Sequence, residues 1–164
     1  MTDAFPTSAR PSWLAPLAFA AVILAIGFVI GWSTGPSVTG WYPSLDMPFF
    51  QPPNWAFPVA WTLLYIAMGV AAGLVANRPP SPARRTALIL FAVQLVFNFA
   101  WSPVFFGARS IIGGLAIVSL LLLLVAATTI AFLRLETRAG VLMLPYLAWV
   151  AFAALLNGAI AVLN

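Results

Sequence analysis

Five apolar runs divide the chain, with polar or proline-rich stretches between them. They extend from Trp13 to Trp32, from about Trp55 to Asn77, from about Ala83 to Phe106, from Ile111 to Leu133 and from Ala139 to Leu163. Each is close to the length of about 20 residues that crosses a bilayer as a helix. Hydrocarbon offers no partner to a free backbone group, so each run is expected to be helical. The pattern predicts an all-α membrane protein: a five-transmembrane-helix bundle, one domain over residues 1–164. Arg78-Pro-Pro-Ser-Pro82 separates the second and third runs, because proline has no amide hydrogen and cannot continue a helix. The first run continues past the small triplet Ala18-Phe19-Ala20 to Ile30, which favours an uncleaved span over a signal peptide. Residues 33–54 are expected to form a loop. Its core, WYPSLDMPFFQPPNWAFPVAW from Trp41 to Trp61, continues into the second run.

Composition agrees with this pattern: 63% of residues are hydrophobic and 6% charged. Too little polar surface remains for a soluble domain of this size. Arginine placement gives the bundle a direction. Arg10, Arg78, Arg84, Arg85, Arg134 and Arg138 fall on the side of the N-terminus, and Arg109 falls on the other. Positively charged loops stay in the cytoplasm, so the expected setting is a bacterial inner membrane with the N-terminus inside; the alternative is an outer membrane, where the rule applies less directly. No basic run of the kind that binds nucleic acid is present.

The chain has no Cys and no His, which removes thiol chemistry and the commonest transition-metal ligands. The carboxylates Asp3, Asp46 and Glu136 are far apart in sequence, so a paired acid/base site has little support. Amides and aromatics remain. Gln94, Asn98, Trp101 and Phe105 recur at i, i+4, i+7 and i+11 and share one face of the third helix. Two amides in a membrane helix are costly without partners. Either they bond a neighbouring helix as structural glue, or they line a cavity and bond a ligand. Pro103 frees a carbonyl one turn earlier and is expected to bend the helix there. Trp61, Tyr65 and Met68 share a face of the second helix, and Trp149, Ala153 and Asn157 a face of the fifth. Helix packing accounts for each face alone. Their convergence, with Trp41, Tyr42, Phe49, Phe50 and Trp55 in the loop, suits a mostly apolar pocket with a few orienting polar groups. Prolines 43, 48, 52, 53 and 58 limit the loop's conformations, which suits a lid. Asp46 is expected to pair with Arg109. Gly69-Val-Ala-Ala-Gly73 is a small-xxx-small pair for close helix packing, and Thr128 and Thr129 are expected to bond back to their own helix.

These residues resemble one family, the translocator proteins (TspO/MBR), also called tryptophan-rich sensory proteins or peripheral-type benzodiazepine receptors. The resemblance rests on Trp41-Tyr42 with Leu45 and Pro48, then Pro52-Pro53-x-Trp55-x-Phe57-Pro58-x-x-Trp61-Thr62-x-x-Tyr65. It continues through Gln94-x-x-x-Asn98-x-x-Trp101-Ser102-Pro103-x-Phe105-Phe106-Gly107 to Pro145-Tyr146-Leu147-Ala148-Trp149 and Leu156-Asn157. It implies a five-helix bundle, usually a homodimer, that binds porphyrins such as protoporphyrin IX or a haem-related tetrapyrrole, and other flat aromatic molecules. No further cofactor and no metal are implied; membrane lipid is the other partner. The resemblance matches pocket positions to Trp61, Asn98, Trp149 and Ala153, and the expected ligand-binding residues as a whole begin with Trp41, Phe49, Phe50, Pro53 and Phe57 from the loop and its junction. Trp61 and Tyr65 follow from the second helix, Gln94, Asn98 and Trp101 from the third, and Trp149, Phe152, Ala153 and Leu156 from the fifth. Some bacterial members are reported to degrade porphyrin in light, which makes Trp61 and Trp149 the candidates for chemistry. The sequence departs from the family at Met47, where Lys is common, and at Phe49 and Phe50, where some members carry Trp. Ile89 and Val93 replace small residues that some bacterial members use in dimer packing. The Tyr and Arg/Lys of the sterol motif proposed for the fifth helix are absent. The expected function is binding of tetrapyrroles as carrier, sink or sensor. The alternatives are light- or oxygen-dependent porphyrin breakdown and a regulatory membrane partner.

Overall fold

The computed structural model describes residues 12–164; Asp3 and Arg10 lie outside them. Five long helices follow one another: α1 (Leu14–Gly40), α2 (Ala56–Ala76), α3 (Pro82–Ser102), α4 (Ile111–Leu135) and α5 (Thr137–Leu163). All five are long and apolar enough to cross a membrane, and there is no strand among the described residues. Glu136 alone joins α4 to α5. The helices close a ring in the order α1, α2, α5, α4, α3, with α1 and α3 meeting least.

α1 is longer than the apolar run that predicts it. Residues 33–40, expected in the loop, are helical, so the lid shortens to residues 41–55. In water Ser and Thr disfavour a helix by bonding nearby backbone groups in other conformations, Gly by its backbone freedom and Pro by its missing amide hydrogen. Here the same hydroxyls bond backward along the helix. Ser33 and Thr34 donate to the Ile30 carbonyl at 2.8 and 3.0 Å, and Thr39 donates to Gly35 at 3.2 Å. Pro36 lies within the helix on its exposed side.

Hydrocarbon gives helices no hydrophobic reason to associate, so close packing must hold them. Gly69 and Gly73 on α2 lie against the backbone of Ala20 and Pro16 on α1, where an added Cβ would collide. Met68 and Val75 of α2, Phe91 of α3, Val125 and Phe132 of α4, and Met143, Tyr146 and Val150 of α5 fill the centre. Phe91 stacks on Phe132 with centroids 5.7 Å apart. Thr128 and Thr129 donate to carbonyls four residues back, at 2.7 and 2.8 Å.

Side-chain caps start three of the helices, α5 through the Glu136 carboxylate, which accepts from the Arg138 amide at 3.4 Å. Ser81 accepts from the Arg84 amide at 3.1 Å ahead of α3, and Ser110 accepts from the Gly113 amide at 3.2 Å ahead of α4. Past Ser102, the residues Pro103–Gly107 widen into a π turn, and the Ala108 amide donates to the Pro103 carbonyl at 2.8 Å. One end of the bundle collects Arg78, Arg84, Arg85, Arg134 and Arg138; the lid and Arg109 are at the other. At the arginine-rich end Arg78 meets Glu136 at 3.4 Å and donates to the Leu135 carbonyl, fastening the α2–α3 turn to the α4–α5 joint.

Candidate ligand cavity

α1 and α2 are pressed together near the arginine-rich end and part toward the lid. Beyond Ala20 and Gly69 the two helices still meet where Gly27 faces the Tyr65 ring, and nearer the lid α1 reaches α3 and the π turn. The Thr34 and Ser102 hydroxyls lie 3.1 Å apart, and Trp41 meets Phe105 edge-on at 5.6 Å. The divergence leaves a cavity of about 960 Å³ between α1, α2, α3 and α5, beneath the lid. Among the described residues no charged side chain lines it.

Each wall follows from helical periodicity. α2 contributes Phe57, Trp61 and Tyr65; α3 contributes Asn98, Trp101 and Ser102, and the π turn after it Phe105; α5 contributes Trp149, Ala153, Leu156 and Asn157. The rings form a continuous aromatic surface. Trp61 lies 5.3 Å from Tyr65 and 6.4 Å from Trp149, and Phe57 meets Trp149 at 6.0 Å. Trp101 stacks on Phe105 at 5.2 Å with planes 11° apart. α1 forms the remaining wall, with Gly27, Gly31, Thr34, Gly35 and Val38. The rim between α1 and α2 includes Phe28 and Trp32 on one side and Pro58 and Thr62 on the other, all of them exposed. The cavity therefore opens sideways, through the outer surface of the bundle.

Polar groups concentrate on the inward side of the cavity. The Tyr65 hydroxyl donates to Asn98 Oδ1 at 3.0 Å. Asn98 Nδ2 donates to the Tyr146 hydroxyl at 2.9 Å, and that hydroxyl donates to Gln94 Oε1 at 2.8 Å. Three buried side-chain atoms have no partner among the described residues: Gln94 Nε2, Trp101 Nε1 and Asn157 Oδ1.

The structure separates the expected site residues into two groups. Phe57, Trp61, Tyr65, Asn98, Trp101, Trp149, Ala153 and Leu156 line the cavity. Trp41, Phe49, Phe50, Pro53, Gln94 and Phe152 do not. Gln94 is wholly buried one turn from Asn98, where it accepts from the Tyr146 hydroxyl on α5. Asn98 does both jobs, bonding α2 to α5 and facing the cavity. Phe49 points outward and is 100% exposed, and Pro53 is also exposed. Phe50 meets Phe152 edge-on at 6.3 Å, and Phe152 lies in a shallow apolar groove with Pro52 and Ala60. Trp41 packs against Phe105 from the lid side.

Asp46 does not pair with Arg109. Among the described residues the one ion pair is Arg78–Glu136, at the opposite end. The lid is drawn instead to the end of α5. The Asp46 amide donates to Asn164 Oδ1 at 3.0 Å, and Asn164 Nδ2 donates to the Asp46 carbonyl at 3.1 Å. Tyr42, buried against Phe105 and Phe106, and Leu45, Met47 and Phe50, packed near Leu156 and Ile160, complete the attachment. Met47, where Lys is common in the family, is thus part of an apolar seam.

The sequence reading missed the α1 wall. Its signal was Gly31-x-x-x-Gly35, a bare face at helical spacing with Thr34 beside it.

Comparison with known proteins is consistent with this geometry. The model of the TspO/MBR family matches residues 18–163. The tryptophan-rich sensory protein of Cereibacter sphaeroides is 48% identical over 117 residues, 71% of this chain and 72% of the relative. The tryptophan-rich protein TspO of Archaeoglobus fulgidus is 41% identical over 143 residues, 87% of this chain and 92% of the relative. The translocator protein of Sus scrofa is 37% identical over 151 residues, 90% of this chain and 88% of the relative.

Proposed function

The chain belongs to the TspO/MBR family, and from that premise we propose that it is an integral membrane receptor for porphyrins and other flat aromatic molecules, acting as carrier, sink or sensor. The observation that carries the reading is the cavity itself: an uncharged aromatic chamber with a polar edge at Tyr65 and Asn98. Aromatic walls offer a flat ligand area and stacking, and few polar groups are needed to fix its orientation. We place the arginine-rich end in the cytoplasm, so that the lid faces the opposite compartment.

The absence of charge from the walls sets how a porphyrin would lie. A carboxylate buried without a partner is very costly. The macrocycle would enter with an uncharged edge first, leaving its propionates at the rim near Asn54 and Thr39. Titrating protoporphyrin IX and its dimethyl ester against protein in nanodiscs, followed by the Soret band, tests this. Saturable shifts with similar affinity are expected for both. No saturable shift with either removes porphyrin from the reading.

A second reading has its own observation. Trp61 and Trp149, both in the wall, lie 6.4 Å apart, so a bound ring would touch two oxidisable indoles. Light- or oxygen-dependent breakdown would show as bleaching with a new product band, lost in Trp149→Phe. A spectrum stable in light leaves binding alone.

A further inference from the structure

Tyr65, Asn98, Tyr146 and Gln94 form an unbranched chain of three hydrogen bonds, at 3.0, 2.9 and 2.8 Å. It runs from the cavity wall into the centre of the bundle, where Tyr146 and Gln94 are wholly buried. Two of its members are hydroxyls, which both donate and accept, and two are primary amides, whose oxygen and nitrogen exchange places on a half turn. The same heavy-atom positions therefore support the opposite direction. Gln94 Nε2 then donates to Tyr146, Tyr146 donates to Asn98 Oδ1, and Asn98 Nδ2 donates to the oxygen of Tyr65. Both directions contain three bonds. Neither is complete alone. The first leaves Gln94 Nε2 unpaired. The second leaves the Gln94 oxygen unpaired and turns the Tyr65 proton toward the cavity, where it needs an acceptor.

We propose that these four side chains are a hydrogen-bond chain of reversible polarity, which lets the cavity present Tyr65 as an acceptor to ligands bearing N–H or O–H and as a donor to ligands bearing a carbonyl. The inference rests on the reading that the cavity binds flat aromatic molecules, and it deepens that reading. Gln94 and Tyr146 never touch the ligand; they are specificity-positioning residues that act through Asn98. The chain gives a use to a cost it does not remove, since one end of Gln94 is unpaired in either direction. A wholly buried glutamine in a membrane helix, with one end unpaired, is unfavourable as packing alone.

Three tricyclic probes of nearly the same shape test this: carbazole (N–H donor), fluorenone (carbonyl acceptor) and fluorene (neither). In calorimetric titrations of the full protein in nanodiscs, carbazole and fluorenone are each expected to bind about fivefold tighter than fluorene, one net hydrogen bond apiece. Gln94→Met removes the far end of the chain. Tyr146 must then donate to Asn98 Oδ1 or strand its proton in the core, which fixes Tyr65 as a donor. Fluorenone should keep its advantage and carbazole should fall to the level of fluorene. Tyr65→Phe should bring all three probes together. Equal binding of the three by the unaltered protein overturns the chain while sparing the cavity; binding of none overturns the cavity itself. Equal loss of carbazole and fluorenone affinity in folded Gln94→Met reduces Gln94 to glue. Where Gln94→Met fails to fold, Tyr65→Phe decides alone, and a preference that survives it overturns the proposal.

Discussion

Two glycine stripes with the same spacing do opposite work. On α2, Gly69 and Gly73 admit the backbone of α1 so closely that no methyl group fits. On α1, Gly31 and Gly35 have nothing within 4 Å of where a Cβ would stand, and they border the cavity. One stripe brings helices together and the other keeps a space between them. Small-xxx-small spacing thus signals that a face is bare, and only its neighbours decide whether the bareness is used for contact or for emptiness. The two stripes lie toward opposite ends of the α1–α2 pair, and together they make that pair a wedge, shut at one end and open at the other.

The largest effect is expected where contact is tightest. Gly73→Leu should force α1 from α2 and lower stability by about 3 kcal/mol, the upper part of the usual range for overpacking. Thermal unfolding in detergent measures it; an unchanged midpoint would mean that α1 is not held there. Next comes filling the open end. Ala153→Phe should leave the unfolding midpoint near its original value and weaken aromatic ligands by about tenfold to a hundredfold, since an added ring competes for the space beside Trp149. Unchanged affinity would place the ligand elsewhere. Asn98→Leu sits between the two cases, because Asn98 both joins helices and faces the cavity. It should cost about 1 kcal/mol in binding and a comparable amount in stability. Loss of stability with full affinity would assign it to packing only. The smallest effect sharpens the comparison most. Gly31→Ala should raise the midpoint slightly, by about 0.5–1 kcal/mol of helix preference, with little loss of affinity. The same change at Gly69 should lower it, and two changes of one sign would erase the distinction.

The number and order of helices could be read in advance because bilayer thickness and backbone pairing leave few alternatives to a run of about 20 apolar residues. Three of the cavity walls were readable as well, since Trp61 with Tyr65, Asn98 with Trp101, and Trp149 with Ala153 mark faces by period and by chemistry. The fourth wall was not, because glycine carries no chemistry to notice. The outer end of α1 was misread for a related reason. Ser33, Thr34 and Thr39 are loop-forming in water, yet they satisfy themselves along a helix where water is scarce. Gln94 and Asn98 share a face but differ in depth by one turn, and that turn separates core from cavity. The expected Asp46–Arg109 pair required a distance that no pattern supplies. Asn164, which holds Asp46 instead, lies 118 positions away.

The sideways mouth between Phe28, Trp32, Pro58 and Thr62 has a consequence for any affinity measured on this protein. A mouth in the side of a membrane bundle faces acyl chains, so the competitor for the empty chamber is lipid as well as water. A titration then reports an exchange of one occupant for another, weighted by how the ligand divides between water and bilayer. The apparent constant should drift with the ratio of lipid to protein and with chain unsaturation. Values taken in detergent and in nanodiscs would describe two different reactions, comparable only once both are expressed as mole fractions in the membrane phase.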